Sequence, residues 1–263
     1  MQENKIGITW YGTASVRLSA GNTSLLTDPF FPFPDSPVKV DAHAFDPCSH
    51  ILISHGHYDH IGSIGSIVQP ETTVYCTKTP YHTLAGRGVR TENLHLIEAG
   101  SVFRAGAFHV TAYKGKHIHI SAGYSLNVMC GRHAALGRKG MFGKLMKLAS
   151  CPEKHETLCY LVETYGKRIL ILGSLALDEN TEYPTDVDLA FFPYQGSFRI
   201  CRIAEEIYGR LRPRAVLLTH FDDTFPPFSA EIDTSEFEAY MKHRAPVYKL
   251  RHGETLYLSQ YTT

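Results

Sequence analysis

The 263-residue sequence lacks a C-x-x-C pair, a long apolar run, a Gly/Ser-rich linker, a fixed-period repeat and an excess of charge of either sign. Each lack excludes something. Cys48, Cys76, Cys130, Cys151, Cys159 and Cys201 are scattered, and a chain of this length needs no disulfide staples, so they read as reduced, mostly buried thiols. No run reaches the roughly 18 apolar residues of a spanning helix. The opening MQENKIGITWYG has no apolar signal core, so the cytoplasm is the expected location. Lys+Arg and Asp+Glu both number 26, so no overall field draws the chain to nucleic acid or to a membrane. Gly-x-Ser-x-Gly is absent, which argues against a serine nucleophile on a strand-to-helix elbow. Without a linker, one domain over 1–263 is expected.

What the chain does have is histidine, 15 in all, and imidazole is the commonest metal ligand. Four metal-competent side chains crowd into SHGHYDHIG (54–62): His55, His57, Asp59 and His60. They follow HILIS, a short apolar run that reads as a buried strand, and the end of such a strand is where a sheet presents its functional loop. If that loop curls, His55 and His57 point to one metal, and Asp59 and His60 to a neighbour, with Gly56 allowing a sharp turn between the first two. Zinc takes imidazole nitrogen and carboxylate oxygen at about 2.0–2.2 Å. Two metals roughly 3.5–4 Å apart clamp both the attacking and the leaving oxygen of a hydrolysis.

Around this cluster the sequence reads as strands separated by turns. KIGITWYG and VRLSAGNTSLLTD form hairpin-connected strands turning at Gly21-Asn22, and the Pro-rich FPFPDSP is a loop. IGSIGSIVQP opens a helix, TTVYC is a strand, TPYHTLAGRG is helical, and LHLIEAGSVFRAGAFHVTAYKG holds two more strands. The second half is organised similarly, with a hairpin in TLCYLVETYGKRILILGS, a strand in DLAFFP, an amphipathic helix in RICRIAEEIYGRL, a strand in AVLLTH and a closing hairpin in VYKLRHGETLYLS. Two sets of strands with helices between them suggest sheet packed on sheet and covered by helices.

Residues 121–157 break this pattern and read as a basic amphipathic insertion or lid. RHAALGRKGMFGKLMKLASCPEK carries six Lys or Arg, and Met141, Phe142, Leu145, Met146 and Leu148 fall at helical spacing with Lys144 and Lys147 interleaved. The ordinary arrangement for such a helix is to pack its apolar stripe on its own domain. The same pattern over 138–149 also suits peripheral contact with a membrane surface.

ISHGHYDHIG resembles the signature of the metallo-β-lactamase superfamily. ITWYGTASVRLSAGNTSLLTDPF, DLAFFPYQGSF and RAVLLTHFDD follow, in order, the branch of ascorbate-6-phosphate lactonase and N-acylphosphatidylethanolamine phospholipase D. That branch commonly has Gly-His where this chain has Gly12-Thr13. The resemblance implies an α/β fold, a four-layer αββα sandwich with the metals at one edge of the sheets. It implies that His55, His57 and His117 hold a first metal, with His119 the alternative to His117, and that Asp59, His60 and His220 hold a second. Asp28 is implied as support for the metal loop. Where the superfamily bridges its metals with an aspartate, ILILGSLALDEN has Ser174, and Asp178 lies too far along to replace it. A hydroxyl is a poorer ligand than a carboxylate, so the second site is expected to be the weaker.

The function so implied is metal-dependent hydrolysis: a metal-held hydroxide, oriented by Asp59 as the catalytic carboxylate, attacks a phosphodiester, phospholipid or phosphorylated lactone. Two Zn2+ per chain are expected, and the same donors accept Mn2+ or Fe2+. The expected partner is a small anionic substrate, not nucleic acid, with Tyr194, Gln195 and Ser197 as candidate pocket residues. The alternative is a non-catalytic metal-binding protein with an impaired second site.

Overall fold

The structure is a computed structural model that describes residues 5–131 and 139–259. The part of the basic segment at 132–138 lies outside the described residues. Two seven-stranded sheets form the frame. The first takes β1 (Lys5–Gly12), β2 (Ser15–Ala20), β3 (Thr23–Thr27), β4 (His50–Leu52), β5 (Thr73–Cys76) and β6 (Leu94–Leu96), and the second begins with β7 (Val102–Ala105) and β8 (Phe108–Lys114). The second sheet continues with β9 (Leu158–Thr164), β10 (Lys167–Ile171), β11 (Leu189–Pro193), β12 (Val216–Thr219) and β13 (Val247–Tyr248), and β14 (Thr255–Ser259) returns to the edge of the first beside β1.

Both sheets are built to one plan. The β1–β2–β3 and β8–β9–β10 hairpins are antiparallel, while β3 to β6 and β10 to β13 run parallel. Parallel neighbours need crossovers, and helices supply most of them. The first half has α1 (Tyr58–Ile61), α2 (Ile64–Ile67) and α3 (Lys78–Gly86), and the second has α4 (Ala122–Cys130), α5 (Met141–Ala149), α6 (Ile200–Leu211) and α7 (Ser235–Met241).

Alternation along the strands sorts the layers, since successive side chains point to opposite faces. Leu25, Leu52 and Tyr75 face the second sheet and join the main core, whereas Leu26, Ile51, Val74 and Cys76 face α2 and α3 with Ile64, Ile67 and Leu84. On the far side α6 buries Ile200, Ala204, Ile207 and Leu211, a stripe at helical spacing, in the same core as β11. Strand β11 is buried at all five positions because it has a sheet on one face and helices on the other. The layer order is therefore helix, sheet, sheet, helix, as the sequence led us to expect.

Three expectations fail. LHLIEAGSVFRAGAFHVTAYKG holds three strands, β6, β7 and β8, and not two. VYKLRHGETLYLS is not a hairpin, because β13 pairs in parallel with β12 while β14 pairs antiparallel with β1 in the other sheet. The buried Leu250 and the Arg251–Gly253 turn carry the chain across instead. Most of the stripe of α5, Phe142, Leu145 and Met146, does not pack on its own domain either. None of its residues is fully buried, and the inward contacts come from Leu148 and the lysines: Lys144 reaches Asp35 at 2.5 Å, and Lys144 and Lys147 lie over the Phe33 ring.

Five of the six cysteines are buried as free thiols and Cys130 is exposed. Burial pushes Cys48, Cys76 and Cys159 up to about 12. Mass spectrometry after brief iodoacetamide treatment of the folded protein is therefore expected to find Cys130 alkylated first, with the other five labelled fully only in denaturant.

Candidate metal centre

All the residues singled out by the histidine motif lie at strand ends on one edge of the sandwich. Asp28 directly follows β3, His55 to His60 follow β4, His117 follows β8, Ser174 follows β10 and His220 directly follows β12. The structure brings them into two groups. One ligand atom from each of His55, His57 and His117 lies within 4.8 Å of the others, and the same holds for Asp59, His60 and His220. His119 is exposed and outside both groups.

Asp28 organises the motif from beneath. It is buried with a left-handed φ of 41°, and its backbone N–H is anchored on Leu52 O at 3.0 Å. Its carboxylate accepts from the Ser54 N–H at 2.7 Å, the Ser54 hydroxyl at 2.6 Å and His60 Nδ1 at 2.9 Å. With its proton given to Asp28, Ser54 Oγ accepts from His55 Nδ1 at 3.0 Å. These bonds assign the tautomers: Nδ1 of His55 and His60 is occupied, which leaves Nε2 of each ring to face the cavity. In the same way His117 Nδ1 donates to Ile118 O at 2.8 Å and His220 Nδ1 to Gln195 Oε1 at 2.6 Å.

The electrostatics suit a cation. Burial, reinforced by the other histidines, lowers His55 far below the usual imidazole range and His57 to about 4, so both rings are neutral and keep their lone pairs. His55 Nε2 and His57 Nδ1 face each other at 3.1 Å. In the other group, burial opposes charge on Asp59, but His60 and His220 outweigh it and hold the carboxyl well below its ordinary value. Burial also opposes a proton on His60, yet Asp28 and Asp59 raise it to about 10. A dication beside the same carboxylates replaces that proton, because metal ligation requires neutral imidazole. Three neutral nitrogens and a carboxylate with two imidazoles are donor sets that fit divalent zinc, manganese or iron.

Close backbone approach holds the motif loop in place. A Cβ on Gly56 would lie 2.4 Å from Pro152 O, so glycine is required by that contact and not by a positive φ. His220 has a left-handed φ of 60°, kept by its N–H bond to Thr13 O at 2.8 Å. Thr13 in turn bonds through its N–H to Asp222 Oδ1 at 3.0 Å. At this position Thr13 therefore shapes the backbone under His220, and it belongs to neither donor group.

Ser174 lies in the cavity wall, and its Oγ accepts from the Ile118 N–H at 3.1 Å. Its hydroxyl thus ties down the loop that carries His117. Asp178 is committed elsewhere, to Lys114 at 3.1 Å. Of the three candidate pocket residues only Gln195 lines the cavity. Tyr194 is fully buried against Phe237, and the Ser197 hydroxyl accepts from the Arg199 N–H. Ser54 escaped sequence reasoning, because its role depends on a carboxylate 26 residues away. The cavity above both groups has a volume of about 460 Å³, with apolar walls that include Ile118, Tyr124, Val128, Leu148, Phe225 and Phe228.

Comparison with known proteins shows what the chain is similar to. Residues 23–221 match the model of the Beta-lactamase superfamily domain. A UPF0173 metal-dependent hydrolase of Methylobacterium nodulans is 34% identical over 250 residues, covering 90% of this chain and 96% of that one. A UPF0173 metal-dependent hydrolase of Haloarcula marismortui is 30% identical over 118 residues, 42% of this chain, and that match spans about half (45%) of the relative's length. Among solved structures, Igni18, a metallo hydrolase from Ignicoccus hospitalis, shares the fold at a TM-score of 0.68 and 18% identity, over 97% of this chain and 99% of that one.

The two histidines of the H-I-H pair separate cleanly in a metal-content experiment. His117→Ala is expected to weaken binding at the first group by more than about 100-fold, the upper range for losing an outer partner. His119→Ala is expected to leave metal content at the wild-type level by elemental analysis.

Proposed function

The chain belongs to the β-lactamase superfamily, and on that premise we propose that it is a metal-dependent hydrolase of an ester-type bond: a phosphodiester, a phospholipid or a lactone. The observation that carries this reading is the pair of donor groups, His55–His57–His117 and Asp59–His60–His220, on the floor of one cavity. In this reading each group holds one Zn2+, for which Mn2+ or Fe2+ can substitute. Bound zinc supplies Lewis acidity, lowering the pKa of water towards about 7 and polarising the substrate oxygen.

The chain's own residues supply position and proton handling. Asp59 is ionised and buried, with its Oδ2 2.9 Å from His220 Nε2 in the same donor group, so its carboxylate is placed to orient the attacking water and accept its proton. Asp28 and Ser54 lock the rings of His55 and His60, and Gln195 locks His220, so the donors need little reorganisation. Ser174, by holding Ile118, keeps His117 on the first group without contributing a bridging charge. The second group is accordingly the weaker in this proposal.

The cavity walls favour one end of the substrate range. No Lys or Arg is among the described lining residues, so a phosphate would find its positive charge mainly in the metals. The apolar walls suit an ester with an aliphatic or aromatic portion better than a compact, multiply charged sugar.

Metal counting and turnover test the reading together. Two equivalents per chain and hydrolysis of a generic aryl ester, lactone or aryl phosphodiester are expected. Asp59→Asn is expected to lower kcat by about 10²–10⁴ while the first group keeps its metal. Wild-type kcat in Asp59→Asn would remove Asp59 from the chemistry. One equivalent or none in the wild type, with no turnover, would favour a non-catalytic metal-binding protein.

A further inference from the structure

Helix α5 is amphipathic in the reverse sense. Lys144 turns inward, pairing with Asp35 and bonding Pro226 O at 2.9 Å, and Lys147, though exposed, lies with its ammonium over the rings of Phe33 and Tyr58. The outward face is Phe142, Leu145, Met146 and Ala149, at helical spacing and all exposed, with Phe142 78% and Met146 57% accessible. A helix in water normally does the opposite. The ion pair with Asp35 makes the inversion specific, since it anchors the helix by its polar side and leaves the apolar side facing out.

This face belongs to the cavity mouth. Leu148 and Ala149 at the end of α5 line the cavity, as do Tyr124, Ser125, Val128 and Met129 of α4 opposite. The α4 side also exposes large apolar groups, Leu126 at 64% and, stacked edge-on against Tyr124, Phe198 at 65%. Apolar residues therefore continue from the cavity wall out onto both helices that flank it. Scattered exposed leucines need no explanation, but a contiguous set around one opening marks an interaction site.

The charge of the segment indicates what covers this surface. By sequence, residues 99–152 contain no Asp or Glu, and among the described residues Lys139, beside the first turn of α5, and Lys147 on the helix are both exposed. Apolar side chains and exposed lysines on a stretch without Asp or Glu complement an anionic lipid headgroup layer over acyl chains. A second copy of this chain would bring the same basic, acid-free segment against itself, which like-charge repulsion opposes.

We propose that the face formed by the outer side of α5 and the exposed edge of α4 docks on an anionic lipid surface, with the catalytic cavity opening towards the bilayer. The docking does not depend on the hydrolase reading. What rests on that reading is its consequence, that the cavity draws an acyl-bearing ester from the membrane and not from bulk water.

The test is co-flotation of the metal-loaded protein with phosphatidylcholine vesicles, with and without phosphatidylserine, at low and high salt. The wild type is expected to float with the phosphatidylserine vesicles, less so at high salt and least with phosphatidylcholine alone. Phe142→Asp and Met146→Asp, neither of which lines the cavity, are expected to bind at least about tenfold more weakly, with unchanged circular dichroism, metal content and turnover of a water-soluble aryl ester. Absence of wild-type flotation, or equal flotation of the variants, overturns the proposal. So does a wild-type dimer in light scattering that Phe142→Asp dissociates, which would make the occupant a second copy. Loss of soluble-ester turnover in Asp59→Asn with flotation retained separates the two readings, since the site then fails without the surface.

Discussion

The buried Asp28 carboxylate carries the heaviest structural duty in the site. One oxygen takes the Ser54 amide, the other takes the Ser54 hydroxyl and His60 Nδ1, and through Ser54 the same carboxylate sets the tautomer of His55. A buried carboxylate without such partners would cost several kcal/mol, whereas one that is fully bonded makes a rigid reference point. Rings from both donor groups are thus aimed by a single residue that belongs to neither group. Its unusual backbone conformation is over-determined, with bonds from the Asp28 N–H to Leu52 and from Ser15 Oγ to the Asp28 carbonyl.

The sheets make that arrangement possible for the fold. Parallel strands end together on one edge, so residues from β3, β4, β10 and β12, distant in the chain, emerge side by side. The repeated plan of the two sheets gives Asp28 and Ser174 related places, each just beyond the third strand of its antiparallel set. In the first half that place holds a charged organiser. In the second it holds a neutral hydroxyl bonded to the Ile118 amide, which positions His117 and leaves the space between the two groups without a bridging carboxylate.

The same edge joins the chemistry to the apolar mouth. Lys144 and Asp35 hold α5 beside the cavity, while Phe30, Phe33 and Phe225 form a small satellite cluster with Leu148 beneath it. That cluster lies between the donor groups and the exposed stripe, because Phe225 also stands edge-on to the His220 ring with centroids 6.1 Å apart. A change in how α5 sits is therefore one aromatic layer away from the second donor group.

Local patterning in the sequence was enough to anticipate the strand and helix inventory of most of the chain, and the resemblance to a known signature grouped Asp59, His60 and His220. Each of these is written in neighbouring residues or in the order of a known signature: H-x-H-x-D-H after an apolar strand, a turn at Gly21-Asn22, a stripe at helical spacing in α6. Three matters needed the tertiary structure. His117 stands apart from His119 because only one ring of the pair turns into the cluster, and alternation alone places both on the same side of a strand. The apparent closing hairpin divides between two sheets, since turn residues specify a change of direction and not the partner that follows. The stripe of α5 faces outward because Asp35 and Phe33, more than 100 residues earlier, capture its lysines. A periodic pattern records that a helix has two faces, and only its long-range partners decide which of them meets water.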